Sequence, residues 1–370
     1  MAVAERGAEV AVERLEAAAF TIPTDSPESD GTAEWNETTL VVCEVAAGGE
    51  RGLGYTYSHT AAAALIEDLL APEVIGRDAL DTPATWRAMA ARVRNVGRPG
   101  LASTAISAID AALWDVRARL AGVPLVALLG RAHEQVDLYA SGGFTSYGLE
   151  QLNDQLAGWA DRGFRAVKIK VGREPERDAD RVAAARSAIG EDVELFVDAN
   201  GAYSRKQALG FAELFAEQGV IWFEEPVSSE DLEGLRLLRD RAPARIEIAA
   251  GEYGYGLHDF RRLLEAGAVD CLQADATRCG GITGFLAVAS LCLAYGIGLS
   301  AHTAPALHLH ACCAALPLRH LEWFHDHVRI ERMLFDGAQE PVGGALLPDL
   351  SRPGLGLELR RADAERFRVR

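Results

Sequence analysis

The sequence predicts an α/β fold, a (β/α)8-type barrel carrying an N-terminal α+β capping domain. Three observations predict it. From Val136 onward, short apolar runs alternate with helical patterns, and eight such runs can be drawn. Many of the runs carry or end on charged side chains: Lys168 and Lys170, Asp198, Glu224, Glu252, Asp275, His302 and Glu322. A buried strand favours apolar side chains, so a charge at its end is costly, and the same cost at strand after strand implies one shared site at the C-terminal mouth of a parallel barrel. Finally, the glycine-rich fingerprint that a doubly wound sheet needs after its first strand is missing.

In chain order, residues 38–46 read as a strand, Gly48-Gly49-Glu50-Arg51-Gly52 as its turn, and Gly54-Tyr55-Thr56-Tyr57 as the continuing meander. Residues 21–36 are polar, contain Pro23 and Pro27 and show no periodicity, which predicts a loop. Helical patterns follow over 61–70, 84–93 and 103–120, the last closed by Gly122. The barrel strands are expected at 136–140, 166–171, 195–198, 221–224, 246–249, 271–275, 298–301 and 320–323, with helices in the gaps. There is no P-loop and no GxSxG elbow. The tail from Glu340 is rich in Pro and Gly and is expected to pack back on the cap. The expected division is a cap over 1–130, a barrel over 131–335 and a C-terminal segment over 336–370.

Composition narrows the function. A chain of 370 residues, 49% apolar, holds a barrel and a smaller domain. A formal net charge of −17 argues against a nucleic-acid partner, which would require a basic surface. It leaves room for an acidic small molecule, because a bound dication and local lysines reverse the field within one pocket. The six cysteines show no CxxC spacing, which points to reduced thiols and a cytoplasmic protein. The N-terminus lacks the apolar core of a signal peptide, and the apolar stretch 284–301 is interrupted by glycines, so no membrane association is expected.

Asp198, Glu224 and Glu252 end three successive strands. Three converging acids repel one another unless a cation lies between them, and hard oxygen ligands suit Mg²⁺, one per site. Zinc would call for His or Cys at these positions. Lys168 and Lys170 lie two apart on one strand and so share a face. Side by side they are expected to lower each other's pKa, which suits a general base. His302 and Asp275 end neighbouring strands, and an Asp orients an imidazole and fixes its tautomer.

The ordered set Lys168-x-Lys170, Val197-Asp198-Ala199-Asn200, Phe223-Glu224-Glu225-Pro226, Gly251-Glu252, Asp275 before Gly280-Gly281, His302 and Leu321-Glu322 resembles the enolase superfamily. Within it, the chain resembles the mandelate racemase subgroup, the branch with a His–Asp dyad. The run from Ala105 to Asp115, Gly122-Val123-Pro124 and Leu128-Leu129-Gly130 resemble the segment that precedes the barrel in that family. The likeness spans nearly the whole chain.

The resemblance implies that Asp198, Glu224 and Glu252 bind Mg²⁺, that Lys170 is the acid/base on one face of the α-carbon with Lys168 tuning it, and that His302, held by Asp275, works from the other face. Glu322 would hydrogen-bond the developing enediolate in a partly protonated state. Arg278 stands where the muconate-lactonising branch carries a lysine base, which argues against that branch's chemistry. The candidate substrate contacts are Trp35 and Tyr55 from the cap, and Asn200, Arg278 and His325 from the barrel; His325 and His327 are expected in a loop. The expected substrate is a small-molecule carboxylate. The expected reaction is dehydration of a sugar acid to a 2-keto-3-deoxy acid, with racemisation or epimerisation of a 2-hydroxy acid as the alternative. By family analogy the assembly is a homo-oligomer, a dimer or octamer.

Overall fold

The computed structural model describes residues 10–370; the N-terminal stretch read for a signal peptide lies outside the described residues. The cap opens with an antiparallel sheet, β1 (Val12–Ser29), β2 (Glu34–Ala47) and β3 (Glu50–Tyr57), in that spatial order. The helix Leu101–Leu120 packs across it. Gly52 and Gly54 permit the close approach: a Cβ at either would lie 2.1 Å from a helix carbonyl, of Ala112 and Ala108 respectively.

Residues 21–36 are not the loop that their composition suggests. β1 runs on to Ser29 and pairs with β2, with a register shift between Pro23 and Glu28. β1 is an edge strand, where a proline forfeits no ladder bond, and the irregularity absorbs the intervening residues.

Eight parallel strands close the barrel: β4 (Val136–Gly142), β5 (Ala166–Lys170), β6 (Glu194–Asp198), β7 (Val220–Glu224), β8 (Glu247–Ala250), β9 (Cys271–Ala274), β10 (Gly298–Ala301) and β11 (Leu318–Phe324), with β11 pairing back to β4. The period of two along each strand sorts its residues. Val167 and Ile169, Leu195 and Val197, and Phe223 belong to the large core shared with the helices. Their neighbours Ala166, Phe196 and Trp222 join Tyr139, Ala249 and Cys271 in a separate cluster that plugs the barrel. Phe196 stacks on Trp222 with centroids 5.2 Å apart. One pleat further along lie Lys168, Asp198 and Glu224, so the plug is the floor on which the polar mouth rests.

The cap is bolted to the barrel by polar groups. The barrel helix Gly281–Tyr295 has glycine at its N-cap and no side-chain cap of its own. Ser107 and Asp110 of the cap helix supply the acceptors: Ser107 takes the N–H of Gly280 and Gly281 at 2.9 and 3.0 Å, and Asp110 takes that of Thr283 at 2.9 Å. The tail touches both parts. β12 (Phe335–Asp336) pairs with β14 (Glu358–Leu359), β13 (Ala345–Leu346) pairs antiparallel with β4, and Val369 N–H donates to Ala19 of β1. Among the described residues no helix is long and apolar enough to cross a membrane.

Candidate active site

The barrel mouth gathers Lys168, Lys170, Asp198, Glu224, Glu252, Asp275, His302 and Glu322, every one of them buried. Backbone strain concentrates at the same end. The only described non-glycine residues with positive φ are Asn200, Glu225, Thr303 and Ala304, all just past the ends of β6, β7 and β10.

Asp198, Glu224 and Glu252 each present a carboxylate oxygen within 4.8 Å of the others. Lys170 Nζ donates to Asp198 Oδ2 at 2.5 Å, and Lys168 Nζ to both oxygens of Glu224 at 2.7 and 2.8 Å. Lys168 also reaches Glu322 at 2.9 Å and lies 5.2 Å over the ring of Tyr139. His302 Nδ1 lies 2.9 Å from Asp275 Oδ2, and its Nε2 3.1 Å from Glu252 and 3.7 Å from Glu322. Arg278 stands 3.5 Å from both Glu252 and Asp275.

The donor set fits a hard dication. Six acids (these five and Glu225) face four potential cations (Lys168, Lys170, Arg278 and a protonated His302), so ionising every acid would leave an excess of two negative charges even with His302 protonated. Glu225 Oε1 is buried without a hydrogen-bond donor, and Glu252 Oε2 has only His302 Nε2, 3.1 Å away, beside it. Such atoms are costly unless something cationic meets them.

Two electrostatic expectations are reversed. The lysines were expected to lower each other's pKa. Burial does oppose their charge, but Glu224 and Glu322 hold Lys168 well above the ordinary lysine value, and Asp198 holds Lys170 above it. Glu322 was expected to be partly protonated. Burial pushes that way, but Lys168, His302 and Lys170 outweigh it and keep the carboxyl ionised. It accepts the Thr303 N–H at 3.2 Å. For His302, burial disfavours the imidazolium, yet Glu252 and Asp275 raise its pKa to about 10.

Over these groups lies a cavity of about 350 Å³, lined from the barrel by Lys170, Asn200, Glu252, Arg278, His302 and Glu322, and from the cap by Trp35 among others. Lys170 and His302 stand on β5 and after β10, with β11 and β4 between them on one side and β6 to β9 on the other. They face the cavity from nearly opposite walls.

Two candidate contacts are displaced. Tyr55 does not line the cavity: its hydroxyl donates to Glu331 at 2.5 Å and its ring stacks on Phe335. Tyr57, two residues on at the end of β3, takes the lining position, because a strand advances about 6.6 Å over that step. His325 is also outside. It begins the helix His325–Leu334 rather than lying in a loop, and its Nε2 pairs with Asp25 at 2.9 Å. His327, about 200° further round that helix, lines the cavity instead and stacks on Tyr57 with centroids 3.4 Å apart.

The residue-type reading passed over Glu225, Tyr253 and Thr303. Glu225 carried a signal, being the second acid of a doublet at a strand end. Its carboxyl is raised well above the usual range by burial, then by Glu252 and Asp198. His308 and His310 hold no ligand: His308 Nε2 accepts the Ala276 N–H at 2.7 Å and His310 Nδ1 the Val126 N–H at 3.1 Å.

A capped parallel barrel whose mouth holds a three-carboxylate cradle between a lysine and a His–Asp pair defines an enolase-type protein. The chain belongs to the mandelate racemase / muconate lactonizing enzyme family: that family's N-terminal domain matches residues 18–130, and the enolase C-terminal domain-like description matches 151–364. A mandelate racemase/muconate lactonizing enzyme-like protein from Rubrobacter xylanophilus is 57% identical, with a TM-score of 0.95, over 97% of this chain and all of its own. The D-galactarolactone cycloisomerase of Agrobacterium fabrum is 34% identical over 80% of this chain and 82% of its own length. The L-talarate/galactarate dehydratase of Salmonella typhimurium is 33% identical over 85% of this chain and 83% of its own. A crystal structure of that dehydratase with Mg and L-lyxarohydroxamate has a TM-score of 0.89 at 30% identity, over 99% of this chain and 96% of that one.

Proposed function

We propose that this protein removes the α-proton of a sugar-acid carboxylate and expels the β-hydroxyl, giving a 2-keto-3-deoxy acid. The observation that carries this reading is the placement of Lys170 and the His302–Asp275 pair on nearly opposite walls of one cavity, beside the acid trio. The Salmonella dehydratase supports dehydration over the alternative.

In this reading Asp198, Glu224 and Glu252 hold Mg²⁺. When bound, the ion would offset the negative charge that builds on the substrate carboxylate. With Asp198 committed to the ion, the contact that holds the Lys170 proton would be relaxed. Neutral Lys170 Nζ then takes the α-proton, the C–H electron pair moves toward the carboxylate as an enediolate, and it returns to form the Cα=Cβ bond as the β C–O bond breaks. His302 Nε2 delivers the proton that lets the hydroxyl leave as water, while Asp275 fixes the opposite nitrogen as the donor to itself. The enol then tautomerises to the ketone. Lys168 ties Glu224 to Glu322, and Glu322 in turn lies 3.7 Å from His302 Nε2, where its charge favours the protonated imidazole that delivers the proton.

A second reading, racemisation or epimerisation of a 2-hydroxy acid, is favoured by the same two-sided arrangement. Without a β-hydroxyl, the far group returns the proton to the other face. Proton NMR in D₂O with Mg²⁺ separates the two: a new deoxy-methylene signal identifies dehydration, and α-deuteration without it identifies a racemase or epimerase. Including sugar-acid lactones tests for the reaction class of the Agrobacterium relative. Silence across all of them would overturn the proposal.

The six free cysteines are all buried, which supports the cytoplasmic setting. Assembly as a dimer or octamer belongs to the same proposal, and sedimentation tests it.

A further inference from the structure

The cavity differs sharply between floor and roof. Its cationic lining residues are Lys170, Arg278 and His302, all from the barrel. Each is already answered by acids: Lys170 by Asp198, His302 by Asp275 and Glu252, and Arg278 by Glu252 and Asp275. The roof, from the cap, is made of Asp30, Ala33, Trp35, Glu37, Thr38, Thr39, Tyr57 and Ser58. It holds two acids and no lysine or arginine. Asp30 spends one oxygen on the N–H groups of Thr32 and Ala33, at 2.6 and 2.7 Å. Glu37 is exposed and forms no ion pair among the described residues. Arg173, just past β5, is held by Glu34 at 2.6 Å, and Arg329 by Asp326 at 2.6 Å.

Two other lining residues carry polar atoms with nothing to bond to. His327 Nδ1 and Asn200 Oδ1 are buried and have no hydrogen-bond partner. Burial, before all else, holds His327 neutral, so its ring offers a hydrogen bond without charge. Unpaired buried polar atoms in a cavity wall call for a polar ligand, and neutral ones are met without desolvating a second ion.

We infer that this site takes monocarboxylic sugar acids, whose far end is an uncharged polyol, in preference to the dicarboxylic acids of the same configuration. The inference rests on the function proposed above and names the substrate class for that same site. One carboxylate goes to the trio. A second, directed at the roof, meets Asp30 and Glu37 with no free cation, whereas hydroxyls there can donate to Glu37 and Asn200 and bond His327.

The test compares matched pairs, gluconate with glucarate and galactonate with galactarate, on the Mg²⁺-loaded enzyme. The monoacid of a reacting pair is expected to show kcat/KM at least tenfold above its diacid. Glu37→Arg should narrow that gap by raising turnover of the diacid. His327→Phe, which keeps a ring on Tyr57, should raise KM for six-carbon acids and leave that for glycerate unmoved. A diacid that matches or beats its monoacid overturns the inference, and loss of that preference in Arg278→Gln would identify the cation it uses. Calorimetry with the same pairs on Lys170→Ala protein covers the case of no turnover. Tighter monoacid binding there, with no α-exchange by the wild type, sinks the proposed reaction and keeps the selectivity; equal or tighter diacid binding sinks the selectivity.

Discussion

Asp275 Oδ2 lies 2.9 Å from His302 Nδ1, and this contact turns the other ring nitrogen toward Glu252, Glu322 and the cavity. Asp275 is itself held from behind by the Thr277 N–H at 2.7 Å, and the next backbone N–H, of Ala276, is taken by His308. The dyad is therefore set by groups that never face the cavity. On the proposed reading, His302→Asn should abolish dehydration while α-proton exchange by Lys170 survives. NMR in D₂O follows both at once, and undiminished dehydration would clear His302 of the acid role.

Lys170→Ala should cut α-exchange by about 10²- to 10⁴-fold, the usual worth of a positioned base. Mass spectrometry of recovered substrate after incubation in D₂O reads the result. Full exchange in the variant would move the base elsewhere.

Chelation by EDTA should remove activity, and added Mg²⁺ should restore it. Glu252→Gln deletes one charge of the trio, and its Mg²⁺ affinity should fall by more than the roughly tenfold to 100-fold typical of changes one shell further out. Unchanged affinity in a calorimetric titration would break the assignment of Glu252 as a ligand.

Glu28 offers a pH test away from the trio. Burial raises its pKa to about 8, helped by Asp326 and Asp25 and opposed by the Trp35 N–H and Arg329. An acid with a raised folded pKa binds its proton more tightly in the folded state. Its contribution is thus fully present below the unfolded value of 4.5 and is lost as pH climbs toward 8. Glu28→Gln keeps an acceptor for Trp35 and cannot ionise. It should match wild type near pH 4.5 and exceed it at pH 9, by about 5 kcal/mol at most. Parallel thermal melting curves across that range would refute the assignment.

Asp115 joins three parts of the chain. It accepts the Leu53 N–H of β3 at 2.7 Å, the Leu355 N–H of the tail at 2.6 Å and the Arg119 guanidinium at 2.8 Å. Asp115→Asn leaves Arg119 without this buried partner and should cost about 2–4 kcal/mol in urea unfolding. A change within error would mean that the tail is held by other contacts.

The sequence determined the barrel and the chemical character of its mouth. Apolar runs of strand length fix which residues face the helices, and a period of two then forces Lys168, Lys170, Asp198 and Glu224 inward wherever those strands pair. That is local information, and it was legible. Only the tertiary structure decided which cap residues reach the cavity, since Tyr57 rather than Tyr55 and His327 rather than His325 depend on how a hairpin and a helix far apart in the chain dock. It also decided the charges. Two lysines read alone predict mutual repulsion, but carboxylates from β6, β7 and β11 surround them and reverse its effect. Even the hairpin at 21–36 followed this rule: its prolines forbid an inner strand, and only the sheet order shows that β1 lies at an edge where they are tolerated.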